Sequence, residues 1–363
     1  MSAACEVIEE VAVTARAARE ELARLLECDD ATAEELYAAA DGVRARAVGD
    51  EVHLRALVEF SNTCRRDCLY CGLRRSNKAL SRYRMAPEKI VAVGREAARL
   101  GFGTVVLQSG EDPWYSADAL AEVVRGIRRG AETAVTLSIG ERRPEEYLTL
   151  RRAGADRFLL RIETSSPTLF GQLHPDSDWQ ARRECLAVLR EQGYQVGSGV
   201  MIGLPDQTTE MLADDLLFLQ SLDLDMIGVG PFIPHPATPL ASATGGTLGL
   251  ALRFVACMRL LCPQALIPAT TALGALHPEG RQQALRAGAN VLMPNCTPVA
   301  YRERYQLYPG RLRATDSAAE GRRRAEEMVA GLGRRVAEGR GDSRRRDPRV
   351  ETRGSKAAAA QAG

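Results

Sequence analysis

Apolar positions along the chain alternate between two patterns. Short runs rich in Val, Ile, Leu and Phe occupy residues 52 to 60, 103 to 108, 134 to 139, 157 to 162, 195 to 203, 225 to 232, 266 to 271 and 290 to 294, and each reads as a buried strand. Between them, residues 87 to 100, 116 to 129, 144 to 153, 178 to 192, 208 to 221, 248 to 261 and 279 to 287 carry the spacing of amphipathic helices. Glycine turns introduce several strands: Leu100-Gly-Phe-Gly, Ala153-Gly-Ala-Asp, Gln192-Gly-Tyr and Ala287-Gly-Ala-Asn. A helix that stops at glycine and turns into a strand is the connection parallel β/α units need. Eight strands with seven connecting helices predict an α/β fold of the (β/α)8 TIM-barrel type over residues 49 to 312, with an open doubly wound sheet as the alternative.

Residues 1 to 48, rich in Ala, Glu and Leu, predict an N-terminal helical extension. Residues 313 to 338 predict one further helix, and residues 339 to 363 read as a disordered basic tail.

Composition narrows the class. At 363 residues, 45% apolar and 26% charged, the chain can bury a large core, which excludes collagen-like and disordered proteins. The net charge of +1 hides a division, because residues 311 to 363 hold 14 basic and 8 acidic residues and the body before them is mildly acidic. Only three of the 48 basic residues are lysine, so the basic character reflects arginine usage, and no nucleic-acid partner is expected. No run approaches the ~18 apolar residues of a membrane span, and acidic residues interrupt the first 21 positions. A cytoplasmic location with no membrane association is expected, and in that compartment nine cysteines are not nine half-disulfides, so any that cluster read as metal ligands or redox groups.

The strongest chemical signal is Cys64-Arg-Arg-Asp-Cys68-Leu-Tyr-Cys71, directly after the first strand. Three thiolates within eight residues must turn around one centre. Zinc asks for four ligands, and no second Cys/His pair stands at a zinc spacing. A four-iron cube held entirely by thiolates would need a fourth cysteine, whereas Cys5, Cys28, Cys185, Cys257, Cys262 and Cys296 are scattered singly. Three ligands leave one iron open to a chelating small molecule.

With aromatic Tyr70 before its last cysteine, the triplet resembles the signature of radical SAM enzymes. That resemblance implies a 4Fe-4S cluster on Cys64, Cys68 and Cys71 that binds S-adenosylmethionine and splits it to a 5'-deoxyadenosyl radical. Gln108, Ser109 and Glu111, after the second strand, stand where such proteins receive the methionine amino group. Arg161 and Glu163 are two apart on the fourth strand and so share a face. Glu163 suits the amino or ribose groups of the cofactor, and Arg161 an anionic substrate. Arg182 is a candidate for the methionine carboxylate, although a solvated helix arginine is the plainer reading. Met201 and the Gly228-Val-Gly230-Pro231 segment suit adenine, although a methionine there equally suits the core. The hydroxyls of Thr270 and Thr271 end the seventh strand, and Tyr305-Gln-Leu-Tyr308-Pro-Gly310 follows the eighth as a loop able to cover the mouth. The histidines His174, His235 and His277 receive no role.

Six ordered segments narrow the likeness: Val58-Glu-Phe-Ser-Asn62, the stretch from Cys71-Gly-Leu-Arg-Arg75 to Arg82-Tyr-Arg-Met85, Leu107-Gln-Ser-Gly-Glu-Asp-Pro113, Gly230-Pro-Phe-Ile-Pro-His-Pro236, Pro268-Ala-Thr-Thr-Ala272 and Tyr305 to Gly310. Together they resemble the HydE family, radical SAM maturases of FeFe-hydrogenase, over about residues 30 to 312. The resemblance implies assembly of the diiron subcluster from a cysteine-bound iron carbonyl cyanide precursor, in company with other hydrogenase maturases and an electron donor. By position it makes Tyr70, Gln108, Ser109, Glu111, Ser138, Glu163, Arg182, Met201, Tyr305 and Leu307 cofactor contacts. Arg161, Thr270, Thr271 and Tyr308 become substrate contacts. Some members carry a second cysteine cluster after the Tyr-Pro-Gly loop; no cysteine follows Cys296 here, so none is expected. Competing readings are a methylornithine synthase or biotin synthase type of enzyme, and a non-catalytic iron-sulfur scaffold.

Overall fold

The structure is a computed structural model that describes residues 3–310 and 316–344. Its elements run α1 (Ala3–Thr14), α2 (Arg19–Glu27), α3 (Asp30–Val48), β1 (Glu51–Ser61), α4 (Pro87–Arg99), β2 (Thr104–Ser109), α5 (Ala117–Arg128), β3 (Ala134–Ser138), α6 (Pro144–Arg152), β4 (Arg157–Leu159) and α7 (Pro167–Leu173). They continue with α8 (Trp179–Glu191), β5 (Gln195–Ile202), α9 (Thr209–Ser221), β6 (Met226–Pro231), α10 (Leu248–Leu261), α11 (Thr271–Leu276), α12 (Gly280–Arg286), β7 (Val291–Leu292), α13 (Val299–Arg302), α14 (Ala318–Gly331) and β8 (Arg335–Val336).

Every residue of β1 from Leu54 to Ser61 is buried, as expected of a parallel strand covered on both sides. The parallel sheet runs in the order β6-β5-β4-β3-β2-β1-β7. Its two ends meet through the segment after α10, where Leu266 bridges Met226 and Pro268 bridges Val291, all in parallel. The Ile227 amide donates to the Leu266 carbonyl at 3.0 Å and the Ala269 amide to the Val291 carbonyl at 2.9 Å. The barrel expected from the sequence is thus present, in the expected strand order.

Three strands are shorter than expected. The run 266 to 271 appears as two isolated bridges, because Pro268 brings no amide to the ladder and Thr270 already caps α11. Pro294 leaves Val291–Leu292 of the run 290 to 294. β4 ends at Leu159 rather than 162, and its line resumes only at the bridge between Glu163 and Val200.

Side chains of Asp29, Ser116, Asp178, Thr208 and Thr247 cap the helices that follow them. The extension folds as α1 to α3, with α3 packed on α10 and α2 on α9. This explains why α10 is apolar around most of its circumference, burying ten of its fourteen residues. Among them is Arg259, whose guanidinium donates to the carbonyls of Gly288, Pro263 and Ala265 and to Asn290 Oδ1. Asn290 Oδ1 also accepts from the Ile267 amide at 2.9 Å. Side chains therefore fix the place where the ladder is weakest.

The C-terminal part departs from expectation. Instead of one helix over 313 to 338, α14 stops at Gly331 and β8 pairs with the start of β1, Arg335 beside Glu51; residues 313–315 lie outside the described residues. The tail expected from 339 is placed as far as Arg344, because buried Arg157 takes partners from it at Asp342 Oδ1 and the Arg340 carbonyl. Residues 345–363 lie outside the described residues. Among the described residues, no helix is long and apolar enough to cross a membrane.

Replacing Arg259 by Met removes the donor from three carbonyls and leaves Asn290 Oδ1 with the Ile267 amide alone, so Arg259→Met is expected to lower unfolding stability by about 3 kcal/mol, read by denaturant titration.

Candidate active site

The three cysteines lie between β1 and α4, in a loop held mostly by side chains. Arg82 donates to four carbonyls of this loop: Asn62 at 2.7 Å, Leu73 at 2.8 Å, Arg74 at 2.6 Å and Asn77 at 3.2 Å. Asn62 ties both ends together, donating to the Ser81 and Arg304 carbonyls and accepting from the Tyr83 amide. Asp67 receives Arg74 through two bonds of 2.8 Å, and that guanidinium holds its carboxyl well below the usual range.

A second set of ion pairs anchors the loop to β2 and β3. Glu111 Oε1 accepts from Arg65 Nε at 2.6 Å and Arg66 Nε at 2.7 Å, while Oε2 takes the Glu141 amide at 2.9 Å. Glu141 in turn accepts from Arg66 Nη2 at 2.6 Å and Arg182 Nε at 2.7 Å. Each of these two carboxylates thus serves two guanidinium groups, and in such a partly buried place each removed partner would leave a charge exposed to low dielectric.

The thiols of Cys64, Cys68 and Cys71 face a cavity of about 310 Å³ at the carboxyl ends of the strands. Burial pushes the Cys68 thiol up to about 12 and Cys71 well above its usual value. Thiols so disfavoured as anions take up their charge only when a cation replaces the proton. None of the other six cysteines lines this cavity. Among the described residues no group of three or more His, Cys, Asp or Glu side chains is gathered closely enough to hold a single metal ion.

Three polar atoms in the same cavity are buried without a hydrogen-bond partner: Arg161 Nε, Glu163 Oε2 and Thr270 Oγ1. Arg161 Nη2 lies 3.1 Å from Glu163 Oε2, a charge contact without the angle of a hydrogen bond, and it donates to the Val200 carbonyl at 2.5 Å. Burial raises the Glu163 carboxyl, with Arg161 and Arg182 opposing. Its backbone holds a left-handed φ of 68°, a strained state for glutamate, kept in place by bonds from the Glu163 amide to Gly199 and from the Met201 amide to Glu163. Unpartnered buried groups of this kind are acceptors and donors awaiting a ligand.

Residues 58–219 match the Radical SAM superfamily. The chain is 54% identical over 279 residues to the [FeFe] hydrogenase maturase subunit HydE of Thermotoga maritima, covering 77% of this chain and 80% of that protein. The chain belongs to the HydE family of radical SAM proteins. It is also similar to the 3-methylornithine synthase of Methanosarcina acetivorans, at 30% identity over 71% of this chain and 73% of that one. The crystal structure of a methylornithine synthase (PylB) superposes with a TM-score of 0.81 at 25% identity, covering 92% of this chain and 97% of the other. Radical SAM proteins use a 4Fe-4S cluster and S-adenosylmethionine, and this HydE-family site fits both. Three thiols with no fourth in the cavity leave one iron position free, and the unpartnered polar atoms stand in the same space.

All seventeen residues singled out in the sequence line this one cavity: Cys64, Cys68, Tyr70, Cys71, Gln108, Ser109, Glu111, Ser138, Arg161, Glu163, Arg182, Met201, Thr270, Thr271, Tyr305, Leu307 and Tyr308. Their local geometry refines several expectations. Glu111 has its carboxylate taken by two arginines of the cysteine loop, so the carboxylate free for a cofactor is that of Glu163. Arg182 is 7% exposed and not the solvated helix residue of the plainer reading. Thr270 and Thr271 start a helix instead of ending a strand, and Thr271 meets Tyr308 at 2.6 Å between hydroxyls. Gln108 donates to the Tyr305 hydroxyl at 3.2 Å.

Sequence reasoning gave no role to Glu141, Arg66 or His174. Ile139-Gly-Glu141 after β3 repeats the Ser109-Gly-Glu111 pattern after β2, and that repetition was the available signal. His174 Nδ1 faces the Phe170 carbonyl at 2.9 Å and must carry the proton there, so Nε2 accepts from the Tyr70 hydroxyl at 2.9 Å. His174 thus fixes the ring next to Cys71.

Burial, with Arg182 adding to it, lowers the His174 pKa to about 4. The unfolded chain binds this proton near pH 6.5 and the folded one resists it, so stability contributed by neutral His174 is present above pH 6.5 and is lost as pH falls toward 4. Thermal melts from pH 7 to 4 are expected to fall more steeply for the wild type than for His174→Gln.

Proposed function

We propose that this chain is a maturase in assembly of the diiron subcluster of FeFe-hydrogenase, working in the cytoplasm on a small organometallic or cysteine-derived substrate held inside the barrel. The observation that carries the reading is the meeting, in one cavity, of three thiols with the unpartnered Arg161 Nε, Glu163 Oε2 and Thr270 Oγ1. Cluster and S-adenosylmethionine, when bound, supply reductive cleavage of a carbon–sulfur bond and with it a 5'-deoxyadenosyl radical.

The residues around that chemistry divide the cavity. Cys64, Cys68 and Cys71 would hold the cluster, and Arg82, Asp67 and Glu111 keep their loop in shape. Glu163 Oε2 would accept from an amino or ribose group of the cofactor. Arg182, whose Nε is occupied by Glu141 and whose Nη1 lies 3.2 Å from the Arg161 carbonyl, places positive charge where a methionine carboxylate would lie. Tyr70, Met201 and Phe232 form an apolar cluster that suits adenine. On the far side Arg161 and Thr270 offer an anion two kinds of donor, and Leu57, Leu159, Met226 and Met293 make the remaining wall apolar. A substrate with one anionic end and one apolar face fits this division, and an apolar wall spares a radical from unwanted donors. Other maturases that supply or receive the substrate, and a one-electron donor, complete the set of partners.

Cys68→Ala is expected to abolish both iron loading and formation of 5'-deoxyadenosine from S-adenosylmethionine under reduction, while Cys185→Ala leaves both intact. Iron analysis with chromatography of the nucleoside products reads both effects, and loss in the Cys185 variant would undo the ligand assignment. The resemblance to methylornithine synthase supports a second reading, in which Arg161 receives an amino-acid carboxylate. Anaerobic turnover separates the two. Adenosylated or otherwise altered cysteine-derived sulfur compounds support the maturase, methylornithine from lysine supports the second reading, and no 5'-deoxyadenosine at all would leave only a scaffold.

A further inference from the structure

The opposite end of the barrel holds a second concentration of charge. Arg55 on β1 and Arg157 on β4 project into the foot of the barrel, where they are 1% and 3% exposed. Burial lowers the pKa of both, and burial with the arginines around it keeps His53 neutral near pH 7. Two desolvated guanidinium groups side by side need an anion.

The anion comes from the stretch 339–344. Asp342 Oδ1 accepts from Arg157 Nη2 at 2.6 Å and from Gln195 Nε2 at 3.0 Å, and Arg340 Nε donates to Oδ2 at 3.1 Å. The backbone of the same stretch is read as well. The Arg340 carbonyl accepts from Thr104 Oγ1 at 2.8 Å and Arg157 Nη2 at 2.7 Å, and the Gly341 carbonyl from Arg55 Nη2 at 3.3 Å. Arg340 pairs with Asp156, and the Ser343 amide donates to Gln195 Oε1 at 3.1 Å. Space is cleared on both sides, since a Cβ on Gly103 would lie 1.6 Å from the Gly339 carbonyl oxygen and one on Gly341 would lie 2.8 Å from His53 Nδ1.

We propose that the foot of the barrel is a carboxylate-binding site, built by Arg157 and Gln195, which the chain fills with its own Asp342, while Arg55 and Thr104 hold the backbone carbonyls of Gly341 and Arg340, so that residues 339–344 form a strap closing the barrel from below. The ligand class is a small carboxylate. Arg55 joins this site to the reaction cavity: its Nη1 lies 2.9 Å from Met226 Sδ, and Met226 lines the cavity above. Its Nε has no partner. One layer of side chains therefore separates the strap from the chamber in which the radical forms, and the strap is the floor that keeps bulk water from that layer.

The test uses the full-length chain with its cluster reconstituted. Asp342→Ala leaves a hole of carboxylate size beside Arg157, so its melting temperature should fall by about 5 °C or more. Sodium acetate, compared with sodium chloride at equal ionic strength, should restore at least half of that loss in the variant and leave the wild type unmoved. An unchanged melting temperature in the variant, or an equal acetate shift in both proteins, overturns the proposal. Should the variant fail to fold, wild-type protein decides: brief trypsin treatment should spare the Arg340–Gly341 bond, which the same treatment cuts in the urea-unfolded chain. Cleavage at Arg340 as fast as in the unfolded chain would show that the strap is not docked.

Discussion

Three thiols within eight residues can serve one centre only if the chain between them is folded tightly, and such a fold has few backbone hydrogen bonds of its own to hold it. Here the guanidinium of Arg82 takes the place of a ladder, gathering four carbonyls from positions 62 to 77 around one rigid plane of donors. A lysine at that place would supply three mobile donors in place of a fixed fork. The rest of the site follows from this loop, because the strands behind it must supply the carboxylates that neutralise its arginines. Glu111 and Glu141 do so from equivalent places after β2 and β3.

The division of labour among the acidic residues is electrostatic. Glu111 and Glu141 each meet two guanidinium groups and Asp67 meets one, so all three are committed to the scaffold. Glu163 differs, since burial opposes its charge, its backbone is strained and one oxygen, in charge contact with Arg161, has no hydrogen-bond partner. Within a site rich in arginine, the group left unsatisfied is the one with capacity for a ligand.

Much of this was legible in the sequence. The alternation of strands and helices gave the barrel and its order, because periodicity of burial is written residue by residue. The cysteine spacing located the centre, since so short a span admits one geometry. What escaped were facts carried by contacts between distant parts of the chain. Glu141, at a strand end but without a role of its own in the sequence, meets Arg182 41 positions away, and no local pattern marks a residue as a shared counter-ion. The same holds for Asp342, which in a string of arginines and small residues looked like solvated tail and proved to be bound to Arg157, 185 positions earlier. His174, dismissed as a loop histidine beside a proline, is oriented by Phe170 and Tyr70. Proline had the opposite effect, since its missing amide in the seventh run was visible in the sequence and still outweighed by the apolar pattern.

That seventh position, where Leu266 and Pro268 stand in for a strand, has a consequence for how the enzyme chamber is shaped. Its wall is joined to its neighbours by single bridges and steadied by Arg259 and Asn290. Thr270, Thr271 and through them Tyr308 hang from this panel. Backbone bonds still tie this panel to its neighbours, from Ile227 to Leu266, from Ala269 to Val291 and from Asn290 to Ile267, but they pass through two isolated bridges where β5 and β6 pair at six consecutive positions. The flank of the pocket that carries Thr270, Thr271 and Tyr308 is therefore set by a handful of bonds and one arginine, and the flank that carries Met201 and Gly230 by an unbroken ladder.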